Sequence, residues 1–370
     1  MHYNFYNVLI LLLFVNFTIS TIVKGQVLDS VNAPSKSTTK NKLLVLPAVT
    51  HSPVTRWGGG VGASFLFKTK LNDSTIRTSN IETLLLGTEN HQYLGVLGLN
   101  FYSPKETYIV RWRNSFSYFP DRFWGLGNRT PRSNLEHYTF EQFLINPQIL
   151  RRIYNKIYVG INYEFQNVFK LQCNPEGLFY TENITGRNGG KVSGLGLTFA
   201  WDTRNNAFSS SKGAYLLFNV TPFKSWLGSD FQFTSVNLDL RKYFSIGKKQ
   251  VIAFQCIGTF NNGNIPIRNL AALGGSDIMR GYYAGRYRDK SLAAFQTEFR
   301  TPVWKRLGLV VFGGLGEVFS AIKNIQGPLR YSFGGGVRYS VRKHERLNLR
   351  LDYGVGYKST GYYFTIAEAF

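Results

Sequence analysis

From about residue 42 to its last residue the chain is written in short segments in which apolar and polar side chains alternate. Successive side chains of a strand point to opposite faces, so each segment receives one greasy face and one wet face. Over 345–353, Leu347, Leu349, Leu351 and Tyr353 share one face, and Arg346, Asn348, Arg350 and Asp352 share the other. Over 235–241, Val236, Leu238 and Leu240 oppose Ser235, Asn237, Asp239 and Arg241. Over 108–118, Tyr108, Val110, Trp112, Phe116 and Tyr118 oppose Arg111, Arg113, Ser115 and Ser117. About sixteen such segments can be counted, the first over 42–50 and the last over 361–370. Short connections, at 103–106 and 245–250, alternate with long ones at 120–137, 172–190 and 261–290.

A soluble sandwich also alternates. Here, however, no helical segment is available to cover the apolar faces, and the opposite faces carry many charges. Strands of ~10 residues that are apolar outside and polar inside are the pattern of a barrel in an outer membrane. The expected fold is therefore all-β, a transmembrane antiparallel β-barrel of about sixteen strands with short turns at the periplasmic end. Composition agrees: aromatic residues make up 16% of the 370 residues, with 22 Tyr, 30 Phe and 37 Gly, a bias toward strands. The formal net charge is +22. The basic residues stand singly between apolar ones rather than in runs. That argues against nucleic acid and suits a polar lumen, basic loops or contact with anionic lipid headgroups.

The amino-terminal stretch 1–25 reads as a secretory signal peptide. Its apolar run over 8–15 is shorter than the ~20 residues a spanning helix needs. Residues 26–41 read as a short polar periplasmic leader, and 42–370 as the barrel.

Catalytic and metal chemistry find no footing. The five histidines, at 2, 51, 91, 137 and 344, have no ligand spacing, and no serine sits in a nucleophile elbow. The glycine run 58–62 lacks the Lys-Ser/Thr of a phosphate loop. Cys173 and Cys256 make no redox or metal motif, and their pairing stays open. No cofactor is expected.

One stretch carries a family resemblance: Gly274-Gly275-Ser276-Asp277-Ile278-Met279-Arg280-Gly281-Tyr282. It resembles the Arg-Gly-Tyr/Phe loop of the BamA/TamA family of outer-membrane assembly barrels, the bacterial surface antigens, and is similar to the short Bacteroidetes-type members. Gln296-Thr297-Glu298-Phe299-Arg300 in the next strand, Trp201-Asp202-Thr203-Arg204-Asn205-Asn206 ahead of Gly213, and Leu349-Arg350-Leu351-Asp352-Tyr353 with terminal Phe370 agree with it in order. The resemblance implies a Gram-negative outer-membrane location and a long loop between strands eleven and twelve folded into the lumen. It also implies that Asp202, Thr203 and Arg204 form the turn after strand eight. Two features depart from it. The leader is too short for a POTRA domain, so a periplasmic or outer-membrane protein partner is expected in its place. Gly314 stands where the family often carries an Asp facing the loop arginine.

Three constellations follow. Arg280, with Gly281 and Tyr282, is expected in the lumen, and Glu298 on the polar face of strand twelve is its natural partner. Gly314 and Gly316 share one face of strand thirteen, and Gly334 and Gly336 share one of strand fourteen. Inward-facing, they form either a floor for residues 280–283, covered by Tyr282 or Tyr283, or simply a bend in the sheet. The barrel seam joins the first and last strands, with Pro47 on one side and Phe370 on the other. Pro47 has no N–H and so either weakens the seam, which the family is thought to open toward lipid, or marks a rim or bulge.

The expected function is assistance with insertion or translocation of protein or lipid at the outer membrane, in contact with outer-membrane lipid. The alternative is a passive or loop-gated channel preferring anions, with arginines 111, 113, 241, 300, 338 and 350 in the bore.

Overall fold

The computed structural model describes residues 42–69, 76–206, 209–247, 249–321, 327–342, 347–366 and 368–370. The expected signal peptide and leader lie outside the described residues. In chain order the strands are β1 (Lys42–Ser52), β2 (Arg56–Phe67), β3 (Ser79–Thr88), β4 (Tyr93–Tyr102), β5 (Tyr108–Phe123) and β6 (Glu136–Tyr154). Then come β7 (Ile157–Cys173), β8 (Gly190–Asp202), β9 (Gly213–Phe223), β10 (Phe233–Ile246), β11 (Gln250–Gly263) and β12 (Ala271–Leu273). The last are β13 (Tyr287–Asp289), β14 (Ser291–Trp304), β15 (Leu307–Phe319), β16 (Arg330–Arg342), β17 (Leu347–Gly356) and β18 (Ser359–Ile366).

Sixteen of these close an antiparallel barrel in chain order, β11 pairing directly with β14; β12 and β13 form a separate ribbon inside the intervening loop. The sixteen-strand barrel read from the alternation is the observed fold. On β17, Arg350 and Asp352 are 0% and 1% exposed, whereas Leu351 and Tyr353 are 51% and 40% exposed. Charge inside and grease outside is the reverse of a water-soluble core, and only a hydrocarbon surround removes the cost of that skin. No described helix is long and apolar enough to cross a membrane; the strands do so.

Two boundaries differ from expectation in ways that matter. The connection expected over 120–137 is shorter, because β5 continues through Pro120 to Phe123 and β6 begins at Glu136. With 16 and 19 residues, β5 and β6 raise a taller wall on their side than the 8 residues of β18 do on theirs. The last strand ends at Ile366. Glu368–Phe370 then leave the wall and lie inside the barrel, and Phe370, 4% exposed, packs with Tyr243 and Ala253. Phe370 is therefore not at the seam. Its ring finds an apolar place between β10 and β11, which strand counting had no means to locate.

At the seam itself β1 pairs with β2 along its whole length, from Lys42↔Leu66 to Ser52↔Arg56. Toward β18, His51↔Phe364 is its single registered pair among the described residues. A Thr50 hydroxyl donating to the Phe364 carbonyl (3.2 Å) and a 3.2 Å contact between His51 Nδ1 and the Tyr362 carbonyl supplement it. Pro47 sits in the part of β1 with no registered β18 partner, exposed on the outer face.

Candidate functional site

The loop after β11 enters the bore as a hairpin. The β12–β13 ribbon, registered Ala271↔Asp289 and Leu273↔Tyr287, carries the tip 274–286 inward. Leu273, Ile278, Met279, Tyr282 and Tyr287 pack there with Leu292 and Val318 of the wall, giving the loop an apolar body. That burial is what lets a polar-lined barrel hold a loop in place.

Arg280, 1% exposed, is the centre. One arm of its guanidinium contacts Glu298 of β14, and Nη1 donates to Asp352 of β17 at 2.5 Å. Its plane lies over the Phe312 ring of β15, 3.5 Å from the centroid. Its carbonyl accepts from the Ser332 hydroxyl of β16. The Gly281 N–H donates to the Tyr363 hydroxyl of β18 (2.9 Å), which donates onward to the Tyr282 carbonyl (3.1 Å). The Tyr282 hydroxyl donates to the Tyr331 carbonyl and accepts from the Tyr357 N–H, both at 2.8 Å. Three successive residues thus touch every wall strand from β14 to β18. Gly281 has φ +113°, and a Cβ there would strike the Val355 and Gly356 backbone, so no other residue fits.

The carboxylates that hold Arg280 are shared. Glu298 also accepts from Arg300 at 2.7 Å, and Arg300 donates to the Phe370 carbonyl at 2.7 Å. Asp352 also pairs with Arg338, which reaches Glu368 at 2.6 Å. Asn348 completes the Glu368 carboxylate at 2.8 Å. Arg350 pairs with Asp277 of the loop at 3.1 Å. Four guanidinium groups (280, 300, 338, 350) therefore face four carboxylates (277, 298, 352, 368), and that balance is what makes burial of eight charges tolerable. Burial nonetheless raises the Asp277 carboxyl above its ordinary range, against the pull of Arg350.

A second anchor holds the outer half of the loop on the opposite wall. Asp121 of β5 accepts from Arg268 (2.9 Å), Arg288 (2.8 Å), Tyr138 (2.8 Å) and Tyr283 (3.1 Å). Burial and Asp121 push the Tyr283 hydroxyl well above its ordinary value, so it stays a donor. The loop is thereby a strap across the bore, tied to β14–β18 at one end and to β5–β6 at the other. Beside it, a cavity of about 330 Å³ remains, lined by Asn162, Thr221, Asn237 and Gln255 together with apolar side chains such as Leu144, Leu217 and Ile278.

The residues singled out from sequence are distributed as follows. Arg280 and Glu298 meet, with Asp352 as an unanticipated second carboxylate. The glycine floor is only partly as expected. A Cβ at Gly314 would lie 3.0 Å from Met279 Sδ, and one at Gly316 3.0 Å from Leu273 Cδ1, so both face the loop. Gly334 and Gly336 do not: their space is taken by the Phe312 ring and by Asp352 with Arg338. The contact falls instead on Gly354, under Arg280 and Gly281, and Gly356, under the Tyr282 ring. The stagger between strands shifts the floor by one strand, and alternation carries no information on stagger. Asp202 and Arg204 form a bidentate pair at 2.9 and 3.0 Å, while the Thr203 hydroxyl bonds to Ala214. Those three close the β8–β9 turn, apart from the loop.

Of this anchor the sequence reading names Tyr283 but not Asp121, because it ends a strand ahead of Pro120. Yet Phe119, Asp121 and Phe123 continue the inward period of Ser115 and Ser117, a signal that could have been followed. The bore arginines proposed to select anions include four, Arg241, Arg300, Arg338 and Arg350, that are paired with carboxylates.

A closed antiparallel barrel, apolar outside, with an arginine-bearing loop strapped across its lumen, defines a membrane barrel of the loop-plugged class. The chain matches the Omp85 superfamily domain over residues 82–370 and belongs to that superfamily, whose barrels are not enzymes. Its fold is similar to BamA from Haemophilus ducreyi lacking POTRA domains 1–3 (12% identity, TM-score 0.61, covering 89% of this chain and 70% of that one). It is also similar to CdiB from Escherichia coli (10%, 0.59, 92% and 69%) and CdiB from Acinetobacter baumannii (12%, 0.56, 91% and 65%). No curated protein sequence matches.

Proposed function

We propose that this chain is an outer-membrane barrel that assists insertion or translocation of protein or lipid, using the β1–β18 seam as its opening and the strapped loop as its brace. The observation that carries this reading is the seam. Among the described residues one registered pair joins β1 to β18, whereas β17 and β18 pair from Leu349↔Ile366 to Gly356↔Ser359. Each ladder hydrogen bond contributes roughly 0.5–1.5 kcal/mol, so this is the cheapest line along which the wall can part. The loop grips β14–β18, the strands leading to that line, and so sets how far they can swing. Roles for Arg280, Glu298 and Pro47 follow: the first two tie the brace, and the third leaves β1 short of one donor beside the opening. A periplasmic or outer-membrane protein partner that presents the substrate belongs to the same reading, as does a surrounding outer-membrane lipid phase. The arginine pairing noted above weakens the channel alternative.

A disulfide across the seam tests it. In a background with Cys173→Ser and Cys256→Ser, His51→Cys with Phe364→Cys places two thiols at registered positions, within bridging reach. A strain depleted of the native chain identifies the components that depend on it. The oxidised variant is expected to fail to restore them and to recover on reduction. Full restoration by the locked barrel would rule out seam opening.

A further inference from the structure

The charge of the described surface is sorted by end. At the short-turn end, Arg151, Arg152 and Lys156 flank the β6–β7 turn, Lys249 lies between β10 and β11, and Lys305 and Arg306 form the β14–β15 turn; all six are exposed. The carboxylates of this end are inward and paired: Glu106 with Arg77, Asp202 with Arg204, Glu368 with Arg338. Among the described residues of that end, none that is exposed is acidic. The long-loop end is mixed, with Glu89, Glu176, Glu182 and Asp230 exposed beside Arg129, Arg132 and Lys191.

The same three turns expose apolar side chains to the outside. Ile153 is 61%, Tyr154 74% and Trp304 62% exposed, with Phe244 and Val303 in matching places. The cations lie against them: Lys305 Nζ is 4.8 Å from the Trp304 ring and Lys242 Nζ 5.3 Å from that of Phe244. An apolar body with a cationic tip, repeated at the ends of lipid-facing strands, is the arrangement that sits at a hydrocarbon–headgroup boundary. The cations recur at three turns strung along one half of the circumference, from β6–β7 past β10–β11 to β14–β15. A protein dock would be favoured by one compact patch on the axial face.

We propose that the short-turn rim is a docking belt for anionic phospholipids of the periplasmic leaflet, their phosphates on the turn cations and their acyl chains along the wall. The proposal rests on the membrane-barrel reading above. Each cation near an anionic surface strengthens attachment by about fivefold at low salt, so the belt fixes the depth and tilt of a barrel whose seam must face lipid.

The test uses the full chain folded into vesicles of dioleoylphosphatidylcholine alone or mixed with dioleoylphosphatidylglycerol. Resistance to protease and to dissociation in unheated detergent reports insertion. Lipid preference is then read by mass spectrometry of the intact protein released with its bound lipids. The wild type is expected to retain phosphatidylglycerol over phosphatidylcholine, less so as salt rises. Arg151→Gln/Arg152→Gln/Lys156→Gln and Lys305→Gln/Arg306→Gln should each lower that preference about fivefold or more. Arg129→Gln/Arg132→Gln/Lys191→Gln at the other end should leave it unchanged. No preference in the wild type, or a preference that survives the rim substitutions, overturns the belt. So does loss of a co-purifying acidic protein from the rim variants with lipid retention intact, which would make the rim a protein dock. Failure to insert into either vesicle sinks the membrane reading instead, and is distinguishable because insertion is measured first.

Discussion

Arg280 and Asp352, 72 residues apart in sequence, meet at 2.5 Å inside the bore. Asp352 also holds Arg338, and Arg338 holds Glu368 of the segment that follows the last strand. On the other side Glu298 joins Arg280 to Arg300, and Arg300 holds the Phe370 carbonyl. Loop and tail never need to touch, because both are tied to the same two carboxylates.

Removing either carboxylate should release the loop. Glu298→Gln and Asp352→Asn each leave a buried guanidinium short of its counter-charge, at a cost of about 3–5 kcal/mol. Faster tryptic cleavage within 274–290 in the folded barrel is the expected result. Combined with Arg280→Met, either change should cost less than the sum of the singles, since the pair leaves together. Additive losses would mean that Arg280 is not what these carboxylates hold.

The tail should act on the loop at a distance. Glu368→Gln strips Arg338 of one carboxylate and so draws Asp352 toward Arg338 and away from Arg280. Loop cleavage should therefore quicken, though the carboxylate of Glu368 is held by Arg338 and Asn348 of the wall, and Phe370→Ala should act more weakly because Arg300 bonds to its carbonyl. If Glu368→Gln frees the tail to carboxypeptidase but leaves the loop fully protected, the shared-carboxylate coupling is wrong.

The floor makes a sharper prediction by position. Gly356→Val drives a side chain into the Tyr282 ring and Gly354→Val into the Arg280–Gly281 backbone. Both should loosen the loop, with a loss of about 1–3 kcal/mol from overpacking. Gly59→Ala, where nothing lies within 4 Å, should be neutral. Unfolding in urea reads all three, and equal behaviour of Gly356→Val and Gly59→Ala would remove the floor.

At the second anchor, Asp121→Asn leaves Arg268 and Arg288 facing each other without a counter-ion. It should destabilise more than Tyr283→Phe, which loses a single hydrogen bond of roughly 1 kcal/mol. Protease is expected to reach the outer half of the loop first while Arg280 stays docked. Simultaneous exposure of both halves would show the strap to be one unit.

Much of this is legible in the sequence. Alternation located the strands; the family resemblance implied that Arg280 enters the lumen, and the polar face of the twelfth expected strand then offered Glu298 to it. What failed has physical causes. Pro120 reads as a strand end, yet β5 carries proline through to Phe123, so Asp121 beyond it falls outside the expected strand. Gly334 and Gly336 face inward, and alternation alone leaves a floor for the loop and a bend in the sheet equally open. The stagger of the strands puts Gly354 and Gly356 under the loop instead.

The sequence by itself determined which side of each strand meets lipid and which residues are inward, because side-chain direction depends only on the two-residue repeat of an extended chain. The tertiary structure alone decided which inward residues meet. Closing a staggered sheet into a cylinder brings together residues such as Asp121 and Arg288, or Arg300 and Phe370, whose separation along the chain says nothing of their distance across the bore.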